Sequence, residues 1–240
     1  MLGPQCCENP PSLSPSCGAG SVQEIGGLKT YVIGSQDSKV AILLIADAFG
    51  YEAPNLRKLA DKVAASGFLV VVPDFYYGDP YAPDKPGFDR ESWLKAHTTE
   101  KGCEDAKAVI SALKSKGVSD VGVAGFCWGG MVLGKLAKFD CIKAAVVLHP
   151  GKITEEEINE VKCPIAILGA ENDNFAPPEH LKHLGEILST KAEIDSYVKI
   201  FPGVGHGWTT RYNDDDEFAV RSAQESHSDM LNWFTKYINA

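Results

Sequence analysis

Between Gly122 and Met131 the chain reads GVAGFCWGGM, a cysteine set among glycines. Gly125, Cys127 and Gly129 match the spacing G-x-C-x-G. With serine at its centre this is the nucleophile elbow, a sharp strand-to-helix turn that presents a reactive side chain. Small neighbours let the backbone turn without side-chain clashes. A thiol at the start of a helix also has its pKa lowered, which favours the reactive thiolate. An inert cysteine in a glycine-rich turn, the other reading, needs no such placement.

A thiol nucleophile works with a base, and the base with a group that orients it. The chain has six histidines. His180 and His183 fall in the charged run PPEHLKHLGEIL, and His97 and His227 in similar surroundings, so all four are expected in solvent. His149 closes the run AAVVLHP and could serve as a base, although LHPG reads more simply as a strand end. His206 lies in PGVGHGWTTRY, a glycine-rich loop directly after VKIF, from which an imidazole can reach over the sheet edge. For the acid, ILGAENDNFAPP offers Glu171 and Asp173. Asp173 is preferred because it lies further into the loop, before the turn residues Asn174 and Pro177, with Glu171 as the alternative. The order Cys127, Asp173, His206 is that of α/β-hydrolases.

These side chains need elements to hold them. Val40–Ala46, Phe68–Pro73, Val121–Phe126, Ala144–Pro150, Ile165–Ala170 and Val198–Phe201 are short apolar runs bounded by turn residues. Such runs are strands buried on both faces. Leu56, Leu59, Ala60 and Val63 step by three and four, as do Ala106, Val109, Ile110 and Leu113, and each set ends at a glycine, Gly67 and Gly117. That is the stripe of an amphipathic helix. A last helix is expected from near the acidic run Asp214–Glu217 through Val220, Ala223, Met230, Leu231 and Phe234. The alternation predicts an α/β fold, a mostly parallel central sheet with helices on both faces. Ligands of such sheets bind beyond the carboxyl ends of the strands, where Cys127, Asp173 and His206 all fall. Residues 1–20, rich in proline, serine and glycine, read as a loosely ordered tail, and 21–240 as a single domain.

A net charge of -9 argues against nucleic acid or an anionic membrane as partner. No apolar run approaches the ~20 residues of a membrane span. The amino-terminal stretch lacks the basic start and apolar core of a secretory signal, so a cytoplasmic, reducing setting with mostly free thiols is expected. Of seven cysteines, Cys141 and Cys163 flank strands and read as small core residues. Cys6, Cys7 and Cys17 lie in the tail with no fourth metal ligand nearby.

GFCWGG, ENDNFAPP and PGVGHGW, with LLIADAFG and VVVPDFYYGDPY, resemble the dienelactone hydrolase family of α/β-hydrolases. The resemblance covers most of residues 21–240. It is nearest the eukaryotic branch, whose plant members often carry the name endo-1,3;1,4-β-D-glucanase. It implies Cys127 as nucleophile, Asp173 and His206 as its partners, and a small ester or lactone as substrate. No metal or organic cofactor is implied. LLIADAFG would then supply the backbone N–H of Ala48 as an oxyanion donor beside that of Trp128. Asp47 stands where the family carries an acid near the resting cysteine, and such an acid opposes the effect of the helix on the thiol.

One departure concerns the substrate. Bacterial relatives acting on carboxylated lactones place an arginine shortly after the PD strand end, and here Gly78 stands in that place. Of the four arginines only Arg211 lies near a predicted catalytic residue. Asp47, Tyr76, Trp208 and Arg211 are therefore the expected substrate contacts, with Tyr76, Tyr77 and Trp208 as an apolar wall. The long segment from Tyr76 to Thr99 reads as a binding loop or lid, in which Tyr81 and Trp93 either line a pocket or pack the loop. Two other functions remain open. One is β-glucan hydrolysis, which needs a carboxylate pair ~5–10 Å apart that no motif marks. The other is a ligand-binding protein on a hydrolase scaffold. The protein is expected as a monomer or weak homo-oligomer.

Overall fold

The structure is a computed structural model that describes residues 4–238. Residues 1–3 and 239–240, the outer ends of the expected tail and domain, lie outside the described residues, as do the side chains of Pro4 and Cys6. Eight strands among the described residues form one sheet. They are β1 (Ser21–Ile25), β2 (Leu28–Ile33), β3 (Val40–Ile45), β4 (Leu69–Pro73), β5 (Asp120–Phe126), β6 (Ala144–Leu148), β7 (Ile165–Asn172) and β8 (Ser196–Gly205). Their order is β1-β2-β4-β3-β5-β6-β7-β8. Only β2 runs against its neighbours, so the sheet is mostly parallel, as expected.

The apolar runs correspond to β3 to β8, while the edge hairpin β1–β2 has no such run. Edge strands bury little: in β1 only Ile25 is buried, so SVQEI carries no apolar run. β8 extends four residues past the expected Phe201, as far as Gly205, and so delivers the chain directly to His206.

Period-two alternation divides the core between the two faces of the sheet. In β3, Ala41, Leu43 and Ile45 face one core and Val40, Ile42 and Leu44 the other. The second core is covered by α1 (Pro54–Ala64) and α7 (Glu217–Tyr237). The first is covered by α3 (Thr99–Ser115), α4 (Trp128–Leu136), α5 (Glu155–Asn159) and α6 (Pro178–Ser189). Asp216 caps α7 by accepting the N–H of Ala219 at 3.0 Å.

The segment from Tyr76 to Thr99 holds the short helix α2 (Arg90–Ala96) and packs on itself. Tyr81 lies 4.9 Å from Phe88 and 5.2 Å from Trp93, and Trp93 lies 5.2 Å from Tyr76. Tyr81 and Trp93 therefore pack the loop. Tyr77 faces outward at 54% exposure, with the Lys101 ammonium 3.7 Å above its ring.

Two of the histidines expected in solvent are buried. His97 ends α2 beneath the Tyr76 and Trp93 rings, its Nε2 3.1 Å from the Asp79 carboxylate. His227 follows Ala223 by four and precedes Met230 by three, so it lies on the inner stripe of α7. That spacing is visible in the sequence and outweighs the polarity of its neighbours. His183 is exposed and His180 half-buried. Cys163 is buried, and burial followed by the nearby Cys141 pushes its thiol up to about 12.

Residues 4–20 carry no apolar periodicity, yet they lie along the domain. Arg57 of α1 is 1% exposed and donates through Nη1 to the carbonyls of Pro15 and Cys17, at 2.9 and 3.0 Å. Its Nε donates to the Tyr51 carbonyl at 2.9 Å.

Where β5 gives way to α4, the backbone of α4 touches the end of β3. A Cβ on Gly129 would lie 2.1 Å from the Ile45 carbonyl oxygen, and one on Gly125 2.3 Å from the Gly129 oxygen. Because these neighbours are backbone, they cannot give way cheaply. Gly129→Ala is expected to lower stability by about 3 kcal/mol, the upper range for overpacking. Urea unfolding of the variant against wild type measures it, and an unchanged midpoint would contradict the contact.

Candidate active site

Cys127 joins β5 to α4 with φ 50 and ψ -106. For a residue with a side chain this backbone is strained by about 1–3 kcal/mol, which the surroundings must offset. Its N–H donates to the Leu148 carbonyl at 3.2 Å, and its own carbonyl accepts the N–H groups of Gly130 and Gly151 at 3.0 Å each. The residue is wholly buried. Trp128 follows as the first residue of α4, so its N–H has no acceptor within the helix. Its indole donates to the His97 carbonyl at 3.1 Å and pins it in place. The start of α4 at Gly129 closely approaches Ile45 and Ala46 at the end of β3, and Ala48 beyond them is buried.

Asp173 and His206 leave the ends of neighbouring strands. The β7–β8 pairing shifts register between Ala170 and Asn172, and Asn172 then pairs with Gly205. The next residue on each strand is Asp173 and His206, which meet with Oδ2 2.7 Å from Nδ1, both side chains buried. Oδ1 of Asp173 accepts the N–H groups of Phe175 and Ala176 at 2.8 and 3.2 Å, so the carboxylate is fixed at both oxygens. The alternative acid, Glu171, is exposed and accepts the Gly203 N–H at 2.7 Å.

Asp47 is buried with Oδ1 accepting the Phe49 N–H at 3.0 Å and Oδ2 3.5 Å from Nε of Arg211. Burial raises its carboxyl pKa, and the Arg211 charge is the largest effect opposing the rise. The Arg211 guanidinium stands 5.4 Å over the Phe49 ring and donates from Nη1 to the Glu8 carbonyl at 2.8 Å. Tyr76 is buried, its ring 5.0 Å from that of Trp128. Among the described residues its hydroxyl has no hydrogen-bond partner. Burial, then the charges of Asp47 and Cys127, hold that phenol well above its ordinary pKa. Trp208 lies in the core on the α1 and α7 face, against Phe201 and His149 at 5.3 and 5.4 Å. Asp47, Tyr76 and Arg211 thus gather with Cys127 and His206, while Trp208 backs the histidine loop.

The chain has known relatives. Residues 28–238 match the dienelactone hydrolase family. The chain belongs to that family. It is 44% identical over 196 residues to a maize protein named endo-1,3;1,4-beta-D-glucanase, a match covering 79% of this chain and 63% of the maize protein. It is 33% identical to a carboxymethylenebutenolidase homolog of Xenopus tropicalis, over 92% of both chains. In fold it resembles a dienelactone hydrolase-like promiscuous phosphotriesterase from metagenomic libraries, with a TM-score of 0.70 at 18% identity, covering 92% of this chain and 99% of the other. This dienelactone hydrolase relative is accordingly a hydrolase with the α/β-hydrolase fold. Among the described residues no group of three or more His, Cys, Asp or Glu could hold a metal, and no helix is long and apolar enough to cross a membrane.

Other side chains around the site were not among the expected site residues. His149 is buried at φ 35, its ring 5.2 Å from that of His206 and its Nε2 2.7 Å from the Thr209 hydroxyl oxygen. Burial, then the His206 charge, hold its pKa well below the ordinary value, so it is neutral beside His206. Nε2 of His227 lies 2.8 Å from the Thr209 carbonyl oxygen, and burial lowers its pKa from 6.5 to about 4. Phe49 and Phe175 also border Arg211 and His206, with nothing in their spacing to single them out.

The two buried histidines make stability depend on pH. Their folded-state pKa values are depressed, so between pH 6.5 and about 4 the unfolded chain binds a proton that native His227 does not. Stability is full above pH 6.5 and falls as pH falls through this window, by about 3 kcal/mol for His227, with His149 adding in the same direction. Urea midpoints from pH 7 to 4 should show the decline, and His227→Gln should flatten it. A slope unchanged in the variant would contradict the assignment.

Proposed function

We propose that the protein hydrolyses small carboxylic esters or lactones through a thioester acyl-enzyme. Cys127 is the nucleophile, His206 the base, Asp173 its orienting acid, and the N–H groups of Ala48 and Trp128 the oxyanion hole. The observation that carries this reading is the buried Asp173–His206 pair at 2.7 Å, set at the strand ends beside a cysteine elbow. A small-molecule substrate fits this enclosed site better than a polymer or nucleic acid. A cytoplasmic, reducing setting would keep the thiol available.

Asp173, bonded to Nδ1, leaves Nε2 as the atom that exchanges protons. Cys127 passes its thiol proton to His206, the thiolate adds to the carbonyl carbon, and the charge that develops on the carbonyl oxygen is met by the two backbone donors. His206 protonates the departing alkoxide, then takes a proton from water as the water attacks the thioester. Release of the acid restores the thiol. Arg211, already paired with Asp47, is the cation we assign to a substrate carboxylate. At Gly78, where φ is +82 and a Cβ would meet nothing within 4 Å, no second guanidinium completes a clamp.

The name of the maize relative supports a second reading, glucan hydrolysis. Glycosidases place two carboxyl groups across a sugar cleft. Here the buried acids Asp47 and Asp173 face Arg211 and His206 respectively, which favours the ester reading.

Cys127→Ala should lower turnover of a p-nitrophenyl ester by ~10³-fold or more, as loss of a triad nucleophile does, without unfolding the protein. Retention of a tenth of wild-type activity would overturn the proposal. Any β-glucanase activity of the chain should survive both this change and thiol alkylation, if that second reading holds.

Substrate charge gives a further test. One guanidinium in place of two removes ~1.5–3 kcal/mol of charged hydrogen bonding, or roughly ten- to a hundred-fold in discrimination. Neutral or aromatic esters and lactones should therefore turn over at least as well as carboxylated ones. The measurement is kcat/KM for a carboxylated lactone and its neutral analogue, in wild type and Arg211→Ala. A strong preference for the anion that the variant leaves intact would contradict this role of Arg211.

A further inference from the structure

Cys127 and the side chains of His206 and Asp173 are shut away from solvent. A hydrolase must admit substrate and water to them, so some part of this enclosure has to move. The amino-terminal segment touches both loops that carry the site. Gln5 donates from Nε2 to the Asn172 carbonyl at 3.2 Å and accepts the Asn174 N–H on Oε1 at 2.7 Å, gripping the chain on either side of Asp173. Three residues on, the Glu8 carbonyl accepts Nη1 of Arg211 at 2.8 Å, five residues past His206. Between these two anchors a single 3-10 turn (Pro4–Cys7) spans the gap, and Cys7 packs against the core that contains Phe49 and Cys127.

We infer that residues 5–8 form a removable roof over the active site, and that Gln5 and the Glu8 carbonyl decide how readily substrate, and bulky substrate above all, reaches Cys127. The inference rests on the ester-hydrolase reading only for its effect on turnover. The roof is held by polar contacts of modest net strength rather than by a large apolar face, so it can open without unfolding the domain. Arg57 is held separately, by the carbonyls of Pro15 and Cys17, so the segment beyond the roof stays attached when the roof lifts. With the roof down, part of the Arg211 guanidinium is engaged by a backbone carbonyl, where a substrate anion would otherwise bind.

The test compares full-length wild type with Gln5→Ala and with Gln5→Ala/Glu8→Pro. Proline at position 8 removes the N–H that closes the turn on the Gln5 carbonyl and disfavours the turn conformation at Cys7. Iodoacetamide is used at low conversion, and modification of Cys127 is read by peptide mass against that of the buried core thiol Cys163. Alkylation of Cys127 should accelerate at least ~10-fold in the double variant and less in Gln5→Ala, with Cys163 unchanged. The ratio of kcat/KM for a bulky aryl ester to that for an acetate ester should rise in the same order. An unchanged Cys127 rate, or a parallel rise at Cys163 that reports general loosening, would overturn the roof. Faster alkylation of Cys127 in a protein that turns over no ester would uphold the roof and defeat the hydrolase reading instead.

Discussion

Where α4 begins, its backbone rests against the last residues of β3, and no side chain fits between them. A Cβ at Gly129 would stand 2.1 Å from the Ile45 oxygen and 2.8 Å from that of Ala46. The turn at Cys127 has positive φ, and it sets the start of α4 against Ile45 and Ala46. Everything else in the site is referred to that contact. Cys127 and Trp128 take their positions from it. Two glycines at fixed spacing are what allow it.

A second constraint is electrostatic. Asp47, Asp173, His206 and Arg211 are all buried, and charges out of water are costly unless each is met. Asp173 is met by two backbone N–H groups and His206, and Asp47 by the Phe49 N–H and Arg211. His149, with its depressed pKa, adds no positive charge beside His206.

Around this polar centre the protein has built walls out of connections rather than core elements. The loop after β4 folds its own aromatic residues into a cluster that reaches Trp128 through Tyr76. The segment before β1 reaches the loops after β7 and β8 through Gln5 and Glu8. Both are irregular in sequence and tied down by particular hydrogen bonds and ring contacts. Such segments open at lower cost than strands or helices, which suits them to the border of a site.

The sequence by itself determined the parallel strands, the helices on both faces, the elbow at Cys127 and the loops that carry Asp173 and His206. Those features rest on periodicity and local turn chemistry, which act between residues close along the chain. It favoured Asp173, with Glu171 as the alternative. Only the register shift between β7 and β8, a relation between two strands, turned Asp173 rather than Glu171 toward His206. The edge strand β1 gave no signal because it buries one residue, and His97 because a loop folded over it. The contacts of Gln5, Glu8 and Arg57 were equally invisible. Each joins a side chain or guanidinium to a backbone carbonyl or N–H many residues away, and a backbone group looks the same in every residue type. Tertiary structure alone decides which of those identical groups a side chain meets.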